Sequence, residues 1–545
     1  MGKNGAFIKR YKKKMVSIIK QMEPSLSEDE IKDIVQEMID KNLQNPEVIA
    51  DNNVTGERRE TTLLSVLDWA YERPEKPIFA GNFTFYKNQD EAFNPIGSML
   101  NGFLTKRKSL KKKMFNSIET PHLYQYYDRS QINVKKLANS YYGAAGMPTS
   151  PFYSLYSGPA TTSSAQMAIS TAMNLFEGLV ADNYIFIDCT ECVEWIHEML
   201  LPDNFDGFVD DFITMHSDRE VVERLLDHIL EKQDNDEEVL YAVISELSDD
   251  ELTLLYYKNN IFDFIKDNSF IQNLLLDIFE SIENLDYADP NDKDWYIKIP
   301  KEYQSEFLGK SAGDYNKFVN KTYFMDPNDV PENIERPLSL FTDYCIKFVY
   351  CRYMAFDRIY RLRNFKRKTV TIIDTDSNIL SLDTLINFIY DNVVEDRTFN
   401  RSKENNDFIA VNTVTYLLTK AVADGLENYS KKANMSEAYQ HHISMKNEFY
   451  FGKLLIGDSK KRYLSKIVLR EGNLINPPKF DIKGLTEKSR PLIEKSILNN
   501  KVNCWELPWD NQQPRLFIKS KVQRLSRNGV HCKLLTMEMP CIPCG

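Results

Sequence analysis

The segment Asp374-Thr375-Asp376-Ser377 has the residue types and spacing best suited to chemistry. It follows the apolar run VTII and precedes NILSL, a pattern that predicts a β-hairpin, with two acids at i and i+2 on one face of a strand. Carboxylates placed so can offer oxygens to Mg²⁺, which takes few protein carboxylates and leaves room for substrate phosphates. That suits phosphoryl transfer. Taken alone, the same residues also describe a polar turn.

A second constellation lies upstream in KKLANSYYG, residues 135–143. On a helix, Lys135, Asn139 and Tyr142 fall at i, i+4 and i+7 and so share a face. A lysine can neutralise a triphosphate, an asparagine can donate to it, and a tyrosine can offer a flat surface to a base. Gly143 lets backbone approach whatever lies over that face. A solvated helix with a glycine near its end would look alike. Before it comes the basic run KRKSLKKKMF, residues 106–115, where Arg107 and Lys111 again stand one turn apart and can grip β- and γ-phosphates. Such a run also makes an ordinary solvated surface or a nonspecific nucleic-acid patch.

The elements that carry these residues can be read in outline. Apolar residues at helical spacing predict helices over 15–45, 101–118 and 131–180, the last interrupted by Pro148, Pro151 and Pro159. Residues 76–100 have the Pro, Gly and aromatic texture of short strands and turns. Residues 181–340 read as mostly helical, and YCIKFVYCRYMAFDRIYRLRNFKRK as one long helix ending in cations. The tail from 450 mixes strands with basic loops.

Composition is that of a globular protein: 545 residues, 42% hydrophobic and 27% charged. A net charge of -11 argues against wrapping nucleic acid by bulk electrostatics, until it is divided by region. Residues 201–300 hold 26 acidic and 7 basic side chains, which leaves 61 basic against 53 acidic elsewhere. One acidic block hides a basic remainder. No run of apolar residues is long enough to span a membrane. The start lacks the apolar core of a secretory signal, and eight cysteines are too few for a disulfide scaffold. A reducing cytoplasm is the expected compartment. Cys189/Cys192 and Cys541/Cys544 are CxxC pairs that could form a zinc site, with ordinary reduced thiols as the plainer expectation. The seven histidines show no ligand spacing.

The order of the motifs is specific. A basic RxxxK helix, then KxxxNSxYG, then a DTDS hairpin resembles the family B DNA polymerases, particularly the phage type. Lys460-Lys461-Arg462-Tyr463 looks like that family's KxY element, and Phe480-Asp481-Ile482-Lys483-Gly484 is similar to its KxxG-type segment near the thumb. The resemblance covers about 80–180 and 341–490. It implies an α+β right-hand fold, with helical fingers, an antiparallel palm sheet carrying the DTDS hairpin, a partial thumb and an acidic helical insertion. The implied boundaries are 1–95 for an N-terminal, palm-proximal segment, 96–180 for the fingers and their return, 181–340 for the insertion, 341–458 for the palm and 459–545 for the palm-to-thumb region. Arg107, Lys111, Lys135 and Asn139 would hold the dNTP, with Tyr142 and Gly143 against the nascent pair. Asp376 would be a direct ligand of two Mg²⁺ ions, with Asp374 as a further ligand or as its support. Lys460, Lys461, Arg462, Tyr463, Lys483 and Gly484 would meet the primer-template.

One family element is missing. Family B enzymes carry a further aspartate in DxxSLYPS, ahead of the fingers. Here Ser154-Leu155-Tyr156-Ser157 resembles it only in part and follows the KxxxNSxYG helix, while Asp68 has the wrong followers. No 3′–5′ exonuclease segment precedes the fingers either. The expectation is therefore the C-terminal part of a split polymerase, working on primer-template DNA and dNTPs in the cytoplasm of a phage host. A companion chain would supply the aspartate and could carry the 3′–5′ exonuclease, with another replication protein as a candidate partner at the acidic insertion. A non-catalytic DNA-binding subunit is the alternative. The basic stretch around Lys519, Lys521, Arg524 and Arg527 fits a thumb on duplex phosphates or an exposed surface.

Overall fold

The computed structural model describes residues 16, 19–20, 25–38, 47–52, 55–74, 76–88, 95–117, 120–200, 205, 207–283, 285–324, 330–352, 366–374, 377–394, 403–457, 463–470, 473–483 and 534–535. Helix α1 (Glu28–Met38) is followed by the hairpin β1–β2 (Glu47–Asp51, Arg58–Thr62) and by α2 (Leu63–Tyr71). A two-residue ladder, β3–β4 (Ile78–Phe79, Phe85–Tyr86), leads to the antiparallel helices α3 (Pro95–Phe115) and α4 (Pro121–Ala145), and then to α5 (Ser157–Ala181). Pro121 starts α4 at a position where its missing N–H costs nothing. Of the three prolines expected to interrupt this region, Pro148 and Pro151 lie in the connecting turn. Pro159 sits in the first turn of α5 and interrupts nothing.

The acidic segment is helical as read. It contains α6 (Cys189–Leu200), α7 (Asp218–Asp227), α8 (Asp236–Ile244), α9 (Asp249–Tyr257), α10 (Ile261–Asp267), α11 (Ser269–Glu283), the single turns α12 (Trp295–Lys298) and α13 (Lys301–Gln304), and α14 (Ala312–Tyr323). Acids at helix starts explain part of its charge. Ser217 with Glu220, Ser248 with Glu251 and Ser311 with Asp314 each form a capping box that satisfies free N–H groups of the first turn.

The long helix expected from Tyr344 onward is corrected. Helix α15 (Glu332–Tyr344) begins earlier, widens into a π-turn at Cys345–Val349 and stops, with Tyr350 already extended. The buried Lys258 ammonium ends it by taking the carbonyls of Lys347 and Tyr350, while the Asn259 N–H takes that of Val349. Residues 353–365 lie outside the described part of the chain.

The hairpin β5–β6 (Val370–Asp374, Ser377–Leu380) forms as read, with Asp374 paired to Ser377 and a bulge between Val370 and Ile372. Then come α16 (Asp383–Ile389), α17 (Lys403–Lys432) and the antiparallel strands β7 (Phe449–Gly457), β8 (Tyr463–Arg470) and β9 (Asn473–Lys483), with β10 (Leu534–Leu535) on the far edge in the order β10-β7-β8-β9.

The main core joins parts distant in sequence. Ala172, Phe176 and Val180 of α5 pack with Phe264, Phe279 and Tyr315 of the acidic segment, with Phe341 of α15, and with Val414, Leu418 and Val422 of α17. A second core gathers Tyr184, Phe186, Trp195, Val221, Leu225, Leu240 and Cys351. The acidic side chains thus lie over helices whose apolar faces share the core of α5 and α17.

Close approach fixes three contacts. A Cβ on Gly425 of α17 would overlap Leu175 Cδ1, and one on Gly178 would stand 2.8 Å from Asn259 Oδ1. At Gly81, between β3 and β4, a Cβ would meet Met167 Sδ at 2.7 Å and the backbone carbon of Ser163 at 2.9 Å. That backbone cannot rotate away, so Gly81→Ala should lower stability by about 1–3 kcal/mol, read as a drop in the urea midpoint. An unchanged midpoint would show that the hairpin is not held against α5.

His228 gives a second test. Its ring stacks on Tyr184 at 3.8 Å, Nδ1 meets the Tyr184 carbonyl at 3.1 Å, and Nε2 lies 3.6 Å from Asp182. Burial outweighs the attraction of Asp182 and pushes the imidazole pKa down to about 4 from 6.5. The unfolded chain therefore takes up the proton first as pH falls. Stability from this group is complete above pH 6.5 and is lost between 6.5 and about 4, a swing of about 3 kcal/mol. His228→Asn should flatten the urea midpoint against pH in that window; parallel curves for variant and wild type would refute the assignment.

Candidate active site

Helices α3 and α4 meet along Met114, Gln131 and Val134, all buried. The sequence-read cations of α3 lie at this seam. Arg107 is half-buried, and its Nε donates to Gln131 Oε1 at 3.2 Å; Gln131 in turn donates to Asp128 at 3.1 Å. Lys111, with a side chain only 17% exposed, reaches Glu448 at 3.5 Å. Beside them Arg470 of β8 lies 3.7 Å from Asp128, and the Lys479 ammonium sits 5.5 Å over the Tyr124 ring. The two helices therefore meet the C-terminal sheet through charges that include Lys111.

Lys135, Asn139, Tyr142 and Gly143 all lie on α4 and are exposed. Around Gly143 a Cβ would meet nothing within 4 Å. Tyr142 OH shares a 2.7 Å hydrogen bond with Thr162 Oγ1, which donates to the Gly158 carbonyl. The face read from KxxxNSxYG is thus open, and it is tied to the first turns of α5.

The other end of α5 reaches the DTDS hairpin. Glu177 is 0% exposed, and its carboxylate accepts from the backbone N–H groups of Lys368 (2.8 Å), Thr369 (2.9 Å) and Val370 (2.6 Å). The Asn183 amide donates to it as well. Val370 opens the strand that ends at Asp374. The chain thus links the open α4 face, α5 and the acid-bearing hairpin in one continuous path. The Asp374 side chain and all of Asp376 lie outside the described part, as do Lys460, Lys461, Arg462, Gly484, the basic stretch 519–527 and the Cys541/Cys544 pair. Tyr463 opens β8, with its OH 3.5 Å from Asp481, and pairs across the ladder with Lys483, whose backbone alone is described.

Among the described residues no group of three or more His, Cys, Asp or Glu is arranged to hold a metal. Cys189 and Cys192 are buried in the second core, where the Cys189 thiol donates to the Asp236 carbonyl at 3.7 Å. Among the same residues no helix is long and apolar enough to cross a membrane. Sequence reasoning passed over Glu177. A lone acid within the apolar run NLFEGLVA was the available signal, since such a residue is seldom buried without specific partners.

Compared with known protein families, residues 3–499 match the divergent family B DNA polymerases. The chain belongs to that family. The matched range takes in the acidic segment as well as the motif-bearing parts of the polymerase. No curated protein and no solved structure matches it. Family membership fits a DNA polymerase chain acting on DNA and dNTPs, and the mostly helical fold with small antiparallel sheets agrees with it.

The contact between the helix pair and the sheet has a measurable size. Partly exposed ion pairs contribute about 0.2–1 kcal/mol, so a double-mutant cycle over Lys111→Met and Glu448→Gln should return coupling within that range. Coupling above about 2 kcal/mol would place the pair among buried ones instead.

Proposed function

We propose that this polymerase chain adds dNTPs to a primer 3′-hydroxyl under the direction of a template. The observation that carries the reading is the open α4 face of Lys135, Asn139 and Tyr142, joined through α5 to a hairpin bearing Asp374 and Asp376. Lys135 and Asn139 bind the triphosphate, with Arg107 and Lys111 turning to it from α3; Tyr142 and Gly143 lie against the forming base pair. Lys460, Lys461, Arg462, Tyr463, Lys483 and Gly484 hold the primer-template near its end. The DTDS carboxylates are hard oxygen donors on a narrow hairpin, a donor set that fits Mg²⁺. When bound, two such ions stabilise the attacking and leaving oxygens of an in-line displacement.

The second strand carboxylate that such geometry needs comes from a companion chain carrying DxxSLYPS, so the chain works as the C-terminal part of a split enzyme. The motif set supports a place in phage DNA replication, in the host cytoplasm. The segment 181–340 offers an acidic surface to another replication protein, since its charge disfavours contact with DNA.

The test is dNTP incorporation on a primed template with Mg²⁺, by this chain alone and mixed with a chain bearing DxxSLYPS. The mixture should be active and this chain alone nearly inactive. Asp376→Ala should cost roughly 100-fold or more in kcat, the scale for losing one preorganised electrostatic partner. Lys135→Ala should act mainly on KM for dNTP. Full activity of the chain alone would remove the companion. A mixture indifferent to Asp376→Ala would make this a non-catalytic DNA-binding subunit.

A further inference from the structure

We infer that Glu177 is a positioning residue for the acid-bearing strand, an inference that rests on the functional reading above. Three consecutive backbone N–H groups, those of Lys368, Thr369 and Val370, converge on one carboxylate. Successive N–H groups aimed at one point form an anion-binding nest, and here the anion is a side chain from another element. Asn183 supplies a fourth donor and also donates to the Lys366 carbonyl at 2.8 Å, so the approach to the strand is held from both sides.

The arrangement explains why this position carries an acid and not an amide. A glutamine offers a single acceptor oxygen and would turn its own NH₂ donors toward backbone donors. Glu177 is itself fixed: its carbonyl accepts from the Asn183 N–H at 3.1 Å, and its helix ends at Asp182 in the left-handed region, φ 45°. Asp374 lies four residues beyond Val370, about 13 Å along an extended chain. A slip of one residue at the clasp would carry every later side chain to the opposite face of the strand. The N–H groups of residues 368–370 are thus the origin from which the position of Asp374 is measured.

The experiment uses the full chain, with its companion for activity, and compares wild type with Glu177→Gln and the milder Asn183→Ala. Amide hydrogen exchange is followed at residues 368–370 and, as an internal reference, along α17. The expected result is faster exchange at 368–370 by about tenfold or more in Glu177→Gln with α17 unchanged, and a smaller change of the same sign in Asn183→Ala. In the incorporation assay Glu177→Gln should lower kcat on the order of 10–100-fold, as displaced catalytic groups do, raise the Mg²⁺ concentration for half-maximal rate and leave KM for dNTP in place. If Glu177→Gln also loosens α17, the Asn183→Ala results decide. Unchanged exchange at 368–370 overturns the inference, and so does faster exchange with unchanged kcat and Mg²⁺ dependence. A wild-type mixture that incorporates nothing removes the functional reading instead, while the exchange data still show whether Glu177 holds the strand.

Discussion

A carboxylate taken out of water loses several kcal/mol of hydration free energy, and Glu177 recovers it from donors that belong to a different part of the chain. Hydrogen bonds to a charged group contribute about 1.5–3 kcal/mol each, so its four donors are sufficient to offset the loss. Because three of them are backbone N–H groups at the start of β5, the charge is satisfied only with the strand in place. The demands of a buried ion thereby become a constraint on backbone. Helix α5 is in turn fixed where Leu175 fills the space left by Gly425 and Asn259 that left by Gly178.

The charge of the molecule takes on a different meaning in this frame. The acidic segment keeps its carboxylates at helix starts and on the surface, while its apolar residues complete the core around α5 and α17. The basic remainder divides into two kinds. Arg107 and Lys111 are engaged at the seam with α4 and the sheet, whereas Lys135 stands exposed on α4. Motion of the helix pair away from the sheet must separate Lys111 from Glu448 and Asp128 from Arg470, contacts weak enough at this exposure to be exchanged for phosphates.

What could be read from sequence follows the range of the forces involved. The helix that carries KxxxNSxYG, the paired strands on either side of DTDS and the helices of the acidic segment are local patterns, set by periodicity and by side chains a few positions apart, and as backbone elements they form where they were expected. The end of the helix at Tyr350 was not legible, because Lys258 and Asn259, some 90 residues upstream, take its carbonyls. The partners of Arg107 and Lys111 were hidden for the same reason: Gln131 lies on the next helix and Glu448 in a loop 337 residues later. Glu177 was the least readable of all, since nothing beside it in sequence says which N–H groups will come to it.

The clasp on β5 also has a history within each molecule. Its acceptor precedes its backbone donors by 191 to 193 residues. At about 5–20 residues per second, translation delivers β5 roughly 10–40 s after α5. For that interval Glu177 is an ordinary hydrated acid on a nascent helix, while every residue of the acidic segment is being made. The ribosome thus releases the wall of the core before the strand that bears the acids, and the long loop between them must be drawn shut by its own packing before the last bond can form.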